Sequence, residues 1–208
     1  SYTDLTGRAP LPPYWSLGAI LSKAYYRTAD EILDAARMVR ERGMPCDTIT
    51  FDGRAWQDTD TRFHFFFDPK RYPDARPVLD QLKAMGFRIC VWEYPLVSVD
   101  GPYFEELTQL PESGIVDFTH PDAYRWWCEA HRELFEMGVD MIKSDFGEQV
   151  EPDCVAHNGD TGDRLHNVYP LLYNKCVYEA AEAWCPSGAF LFGRAGWAGS
   201  QRYPVQWG

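Results

Sequence analysis

The chain has 208 residues, 31 of them Asp or Glu against 20 Lys or Arg, giving a formal net charge of −11. That excess of acid excludes a nucleic-acid binder, which needs a basic surface to neutralise phosphates. At 45% hydrophobic, 15% aromatic and 25% charged residues, the composition is that of a globular domain with a packed core rather than a disordered or collagen-like chain. No apolar run approaches the ~18 residues needed to cross a bilayer, and residues 1–10 lack the basic start and apolar centre of a secretory leader. The expectation is a cytoplasmic protein with no membrane partner.

Strand-like and helix-like stretches take turns along the chain. A first strand is expected over 17–24. Thr28 followed by Glu31 has the form of a capping box, and Ile32, Leu33, Ala36 and Val39 then recur at helical spacing until Gly43. Residues 47–52 read as a β-branched strand. Val78, Leu79, Leu82 and Met85 mark a second helix, and Gly86 leads into a strand over 87–92. Pro121 opens a third helix that Gly138 stops, residues 139–143 form the next strand, a helix is expected from about Pro170 to 183, and strands follow over 189–193 and 203–207.

Six cysteines, Cys46, Cys90, Cys128, Cys154, Cys176 and Cys185, are irregularly spaced with no CxxC pair, so thioredoxin and zinc-ribbon readings lose their support. The pairs Cys128 with His131 and Cys154 with His157 have CxxH spacing, but the first falls inside a helical pattern and the second in a loop. His157, Asp160 and His166 are not one helical turn apart and read as loop residues. No metal is expected.

Alternating strand and helix implies a parallel sheet with helical crossovers, either doubly wound or closed into a barrel. Side chains alternate faces along a strand. Thr48, Thr50 and Asp52 therefore share one face, as do Met141, Lys143 and Asp145, and again Phe190, Phe192 and Arg194. Four strands end in Asp52, Trp92, Asp145 or Arg194, each at the carboxyl end, where an eight-stranded α/β barrel gathers its chemistry. No GxGxxG or Walker-type loop supports the nucleotide-binding open sheet. The expected fold is α/β, a (β/α)8 TIM barrel of which about six units are present.

The run KSDFGE over 143–148 carries the most chemistry. Lys143, two residues before Asp145 on the same face, can hold that carboxylate ionised as a nucleophile; equally, Asp145 can cap a loop with Lys143 as its salt-bridge partner. Trp92, Trp207, Phe146, Tyr25 and Trp56 lie in or beside strand-end loops, where aromatic faces suit the C–H surface of sugar rings, although each singly reads as core.

KSDFGE closely resembles the nucleophile motif of glycoside hydrolase family 31, the retaining α-glucosidases and α-xylosidases, most of all the bacterial α-xylosidases. The resemblance runs over nearly the whole chain. It takes in residues 11–18 entering the first strand, FDG at 51–53, FDP at 67–69 with YPD at 72–74, ICVW at 89–92, DFTHPD at 117–122, His166 and Asn167 with Tyr173 and Asn174, FGR at 192–194 and PVQWG at 204–208.

The resemblance implies that Asp145 is the catalytic nucleophile and that Glu148 completes its motif. Asp52 is implied to bind sugar hydroxyls with Lys143 and Arg194 as its charged partners, Trp92 and Trp207 to form walls, Phe146 to lie beside the nucleophile, and Tyr25 to narrow the entrance. The substrate class implied is a small carbohydrate, an α-xyloside or α-glucoside, with no cofactor.

The family's proton-donating aspartate follows the Trp-Gly pair by a couple of residues, which here means after Gly208. The 208 residues taken alone are therefore expected not to hydrolyse glycosides. The run 107–114 is shorter than the family's usual insertion there, and flanking β-sandwich domains are expected to be absent. Open strand edges make a homo-oligomer possible. A truncated barrel fragment and a non-catalytic sugar binder are the alternatives.

Overall fold

Helix and strand alternate because the hydrophobic period alternates, and the side chains that set the period can be followed one element at a time. The computed structural model describes residues 1–57, 64–97, 114–204 and 206–207. The short run expected over 107–114 lies, except for Gly114, outside the described residues, as does Gly208.

A single turn of helix, Tyr2–Thr6, and a 3-10 turn, Tyr14–Leu17, precede β1 (Ile20–Lys23). The strand expected over 17–24 is thus trimmed at both ends. The 3-10 turn sets Trp15 edge-on to Phe190, with ring centroids 5.5 Å apart. Helix α1 (Ala29–Glu41) starts where Thr28 is extended and its Oγ1 accepts the Glu31 N–H at 3.3 Å. The Glu31 carboxylate accepts from the Arg27 N–H at 3.0 Å, one residue earlier than a regular capping box. Strand β2 (Thr48–Phe51), helix α2 (Arg76–Ala84) and strand β3 (Arg88–Glu93) follow.

Helix α3 (Pro121–Met137) has Pro121 in its first turn, where a missing N–H costs nothing, and ends at Gly138 with φ 113°. That left-handed conformation lets the Gly138 N–H reach the Leu134 carbonyl at 3.2 Å. Strand β4 (Met141–Ser144) leads to α4 (Gly162–Trp184). The sequence places the start of α4 near Pro170, because proline favours a first turn. The helix instead begins eight residues earlier and carries Pro170 inside it. Leu165, Tyr169 and Tyr173 are buried in the core, and that burial outweighs the one backbone bond proline removes. The start is tight: a Cβ on Gly162 would lie 1.7 Å from the Glu151 carbonyl oxygen.

The four strands form one parallel sheet in the order β1-β2-β3-β4. The strands expected over 189–193 and 203–207 continue the same order only as single parallel bridges, Leu191 with Ile142 and Gly193 with Gln206. The ladder is still there in part, with Phe192 N–H donating to the Ile142 carbonyl at 2.8 Å, Arg194 N–H to Ser144 at 3.1 Å and Trp207 N–H to Gly193 at 2.9 Å. Pro204 has no N–H to contribute, but its carbonyl accepts the Leu191 N–H at 3.0 Å. Among the described residues the sheet therefore has four full strands rather than six, followed by two bridged segments, and forms an arc of a (β/α) barrel.

The two faces of the arc have separate cores. On the convex face Ile49, Phe51, Ile89, Val91, Ile142 and Leu191 belong to the large cluster that holds the buried faces of α1 to α4. On the concave face Cys90, Met141 and Phe190 make a second cluster with Trp15, Ile20 and Phe192 around it. Burial on both faces explains why β2 is uniformly apolar or Thr. Among the described residues no helix is long and apolar enough to cross a membrane.

Candidate active site

The concave face carries Cys90 at its floor and ends, on the carboxyl side, in a ring of polar residues. The Cys90 thiol is pushed up to about 12 by burial, so it stays protonated. Above it, Ser22 on β1, Asp52 after β2, Trp92 on β3, Lys143 on β4, Asp145 after β4 and Arg194 after the first bridged segment all follow the same inward alternation.

Asp145 is held on both oxygens. The Trp92 indole N–H donates to Oδ2 at 2.8 Å, the Phe146 backbone N–H donates to Oδ1 at 2.9 Å, and the Arg194 Nε lies 3.0 Å from Oδ1 in an ion pair. The local turn that makes this possible puts Phe146 at φ 60°, a left-handed conformation in a residue other than glycine, which costs about 1 to 2 kcal/mol. The turn folds the Phe146 N–H back onto its neighbour's carboxylate. Gly147 continues it at φ 98°. The Phe146 ring is clamped between Tyr94, 4.5 Å away, and the Arg194 guanidinium, 4.2 Å from its centroid.

Asp52 forms a second centre. Its Oδ2 accepts from the Lys143 Nζ at 2.6 Å and from the Ser22 hydroxyl at 2.8 Å. Lys143 also lies 4.9 Å from the Trp207 ring centroid, and Trp207 packs on Phe192 at 4.6 Å. Arg194, in turn, is tied by its Nη2 to Glu148 Oε1 at 2.5 Å. The mouth thus alternates carboxylate and cation: Asp52, Lys143, Asp145, Arg194, Glu148.

Several sequence expectations change here. The spacing of the KSDFGE run pairs Lys143 with Asp145, yet the lysine reaches across β3 to Asp52, the partner that the family resemblance implies, and the cation on Asp145 is Arg194. Residues two apart on a strand are about 6.6 Å apart and parallel to each other, so a long side chain finds its partner across the mouth more readily than along its own strand. The expectation that Arg194 partners Asp52 changes for the same reason. Trp92, expected as a wall, is only 8% exposed and serves Asp145 as a hydrogen-bond donor. Trp56 is fully buried, with its indole N–H on the Trp92 carbonyl at 2.9 Å, so it is core and not a sugar platform. Glu148 ties down Arg194. Tyr25 lies on the turn after β1, 49% exposed, with the Arg71 guanidinium 5.9 Å from its ring.

Sequence reasoning missed Ser22, which the alternation along β1 could have found, and Tyr94, which follows Trp92 and Glu93 on β3. The CxxH pair in α3 separates in function: His131 is buried, with its Nε2 2.5 Å from Glu93 Oε2, while Cys128 is half-buried. Among the described residues no cluster of three or more His, Cys, Asp or Glu could hold a metal ion.

The comparisons with known proteins agree with one another. The profile of the glycosyl hydrolases family 31 TIM-barrel domain matches residues 9–208. An α-xylosidase of Emericella nidulans is 33% identical over all of this chain and 29% of its own length. α-Glucosidase 2 of Bacillus thermoamyloliquefaciens is 30% identical over 99% of this chain and 30% of its own. Among solved structures, the Flavobacterium johnsoniae family 31 dextranase in complex with glucose superposes with a TM-score of 0.87 at 28% identity, covering 99% of this chain and 29% of that one. The chain spans less than a third of the length of each. With a match across nearly its full length to the family's TIM-barrel domain, the chain belongs to glycosyl hydrolase family 31.

Proposed function

We propose that the protein carrying this chain is a retaining α-glycosidase and that Asp145 is its nucleophile. The observation that supports this best is the state of the Asp145 carboxylate. It sits at the mouth, 14% exposed, with both oxygens oriented by Trp92, Phe146 and Arg194.

In the reaction, an Asp145 oxygen forms a bond to the anomeric carbon as the bond from that carbon to the glycosidic oxygen breaks. The departing oxygen takes the electron pair and a proton from a second carboxyl group, which in retaining enzymes stands about 5 to 5.5 Å from the first. The family resemblance assigns that donor to an aspartate a couple of residues after the Trp207-Gly208 pair. Water then cleaves the glycosyl-aspartate ester. Asp52, anchored by Lys143 and Ser22, accepts from sugar hydroxyls; Trp207 and Phe146 supply apolar surface for the ring; Arg194 balances the charge of Asp145 and Glu148. Each of these steps is done by side chains, with no cofactor.

An α-xyloside is the first substrate to test and an α-glucoside the second, since the Emericella nidulans α-xylosidase shares 33% of residues against 30% for the Bacillus α-glucosidase. The test uses the full-length protein with an aryl α-xyloside and an aryl α-glucoside. Asp145→Ala abolishes turnover of both, and a 2-deoxy-2-fluoro glycosyl fluoride labels Asp145 in the unmodified protein, read by peptide mass spectrometry. Undiminished turnover in Asp145→Ala, or a label on another carboxylate, removes the assignment.

A further inference from the structure

Behind the mouth, on the convex face of the sheet, lies a carboxylate that the chemistry above does not use. Glu93 is the last residue of β3, and its side chain points away from the mouth because it follows Trp92. It is 1% exposed and meets His131 of α3, which is fully buried; Glu93 Oε2 and His131 Nε2 are 2.5 Å apart. The other imidazole nitrogen, Nδ1, is 2.7 Å from the Trp127 carbonyl one turn earlier in the same helix. Phe65, at 4.9 Å, and Phe135, at 6.3 Å, pack on the imidazole, so the ring is held by both nitrogens and by aromatic side chains, and Glu93 by its Oε2.

The same residue touches the nucleophile through its main chain. The Glu93 carbonyl accepts the Asp145 backbone N–H at 3.1 Å. Its predecessor Trp92 donates to Asp145 Oδ2, and the Trp92 carbonyl is in turn held by Trp56. Two consecutive residues at the end of β3 therefore set both the backbone and one side-chain oxygen of Asp145, and the second of the two is locked to α3 by its carboxylate. A buried ion pair adds little to stability compared with well-packed apolar side chains, because desolvation offsets the attraction. What such a pair supplies here is a directional anchor at a strand end that otherwise opens into loops on both sides.

We infer that Glu93 and His131 are a positioning pair that fixes the end of β3, and through it Asp145, in the geometry needed for attack on the sugar. This rests on the reading of Asp145 as nucleophile. Misplacement of a reacting group by about 1 Å costs on the order of 10²-fold in rate, and the loss falls on kcat because neither residue touches substrate.

The test compares variants of the full-length protein. Glu93→Leu/His131→Leu removes the anchor while filling its volume with apolar side chains, an exchange that buried ion pairs usually tolerate. Its kcat falls about 10²-fold with KM within about twofold, and the rate at which a 2-deoxy-2-fluoro glycosyl fluoride traps Asp145 falls by the same factor. Glu93→Gln keeps the shape and still accepts from His131, so its kcat falls only a few-fold and its KM is unmoved. It carries the test if the double variant does not fold. Leu79→Ala, a fully buried change on α2, gives the activity cost of destabilisation alone. Wild-type kcat in either folded variant, a loss carried by KM, or a deficit equal to that of Leu79→Ala overturns the inference. If Asp145→Ala is inactive while the double variant keeps wild-type kcat, only this inference fails. If Asp145→Ala itself turns over normally, it is the nucleophile assignment that fails.

Discussion

The two ends of the sheet are built from the same materials to opposite purposes. At the amino end, Asp140 is 1% exposed and every direction around it is filled: the Ile89 N–H donates to Oδ2 at 3.0 Å, Arg88 and Ser187 bind Oδ1 at 3.1 and 2.5 Å, and Lys83 lies 3.4 Å from Oδ2. This one carboxylate joins the starts of β3 and β4, the end of α2 and the turn after α4. At the carboxyl end, Asp52 and Asp145 also have cations beside them, but they are 15% and 14% exposed and face a mouth lined by Trp207 and Phe146. A carboxylate fully satisfied by protein can only hold the fold together. One oriented by protein but open on one side can take up a substrate, which is the division expected between the two ends of an α/β barrel.

The largest effect that could break this contrast is at the mouth. Asp145→Ala should remove turnover altogether while changing stability by no more than about 1 kcal/mol; a large loss of stability with it would mean that Asp145 is structural, like Asp140. Next in size, Asp140→Ala should destabilise by about 3 kcal/mol. That figure is at the low end for a buried ion because Lys83 and Arg88 are 36% and 43% exposed and can rehydrate. The folded fraction should keep its kcat, as read by urea unfolding and steady-state assays on the same sample. Trp92→Phe keeps an aromatic ring but deletes the donor to Asp145 Oδ2, and a roughly tenfold loss of kcat with little change in melting would show that the indole orients the nucleophile rather than lining the pocket.

The smallest effect concerns pH. Burial alone would lower the His131 pKa, but the Glu93 carboxylate and the Trp127 carbonyl hold it above the ordinary 6.5. Other titratable groups nearby include Cys128, which also raises it, Tyr173, which faces Glu93 and whose phenol burial pushes well up, and the buried Cys176 thiol, which burial likewise pushes up. A group raised on folding contributes its stabilisation fully below the unfolded value and loses it as pH rises through the folded one. The stability difference between the protein and Glu93→Leu/His131→Leu should therefore shift in favour of the variant from about pH 6.5 upward. A difference that does not move between pH 6 and pH 9 would show that the pair is not ionised.

Much of this was legible beforehand. The apolar periods of α1, α2 and α3 and their glycine stops gave the alternation, and strand alternation correctly grouped Thr48, Thr50 and Asp52, then Met141, Lys143 and Asp145. A proline's local preference alone puts the start of α4 near Pro170, and the core contacts of Leu165 and Tyr169 overrule it. The bridged segments near 191 and 206 were expected as full strands because local β propensity says nothing about how many partners a segment finds.

Pairing was the hardest to foresee from spacing, and only Lys143 with Asp52 was implied, by the family resemblance. Lys143 with Asp52, and Arg194 with Asp145, join residues 91 and 49 positions apart in the chain, and Glu93 with His131 is 38 apart. Spacing along a strand determines which face a side chain takes, since that follows from the two-residue pleat. The sequence by itself thus determined the class of fold, the end of the barrel where chemistry is gathered and the identity of the carboxylates there. Which cation sits on Asp145, whether an aromatic is wall or donor, and which buried pair lies behind Asp145 were decided only by the tertiary structure, because those contacts depend on distances across the barrel that no local pattern contains.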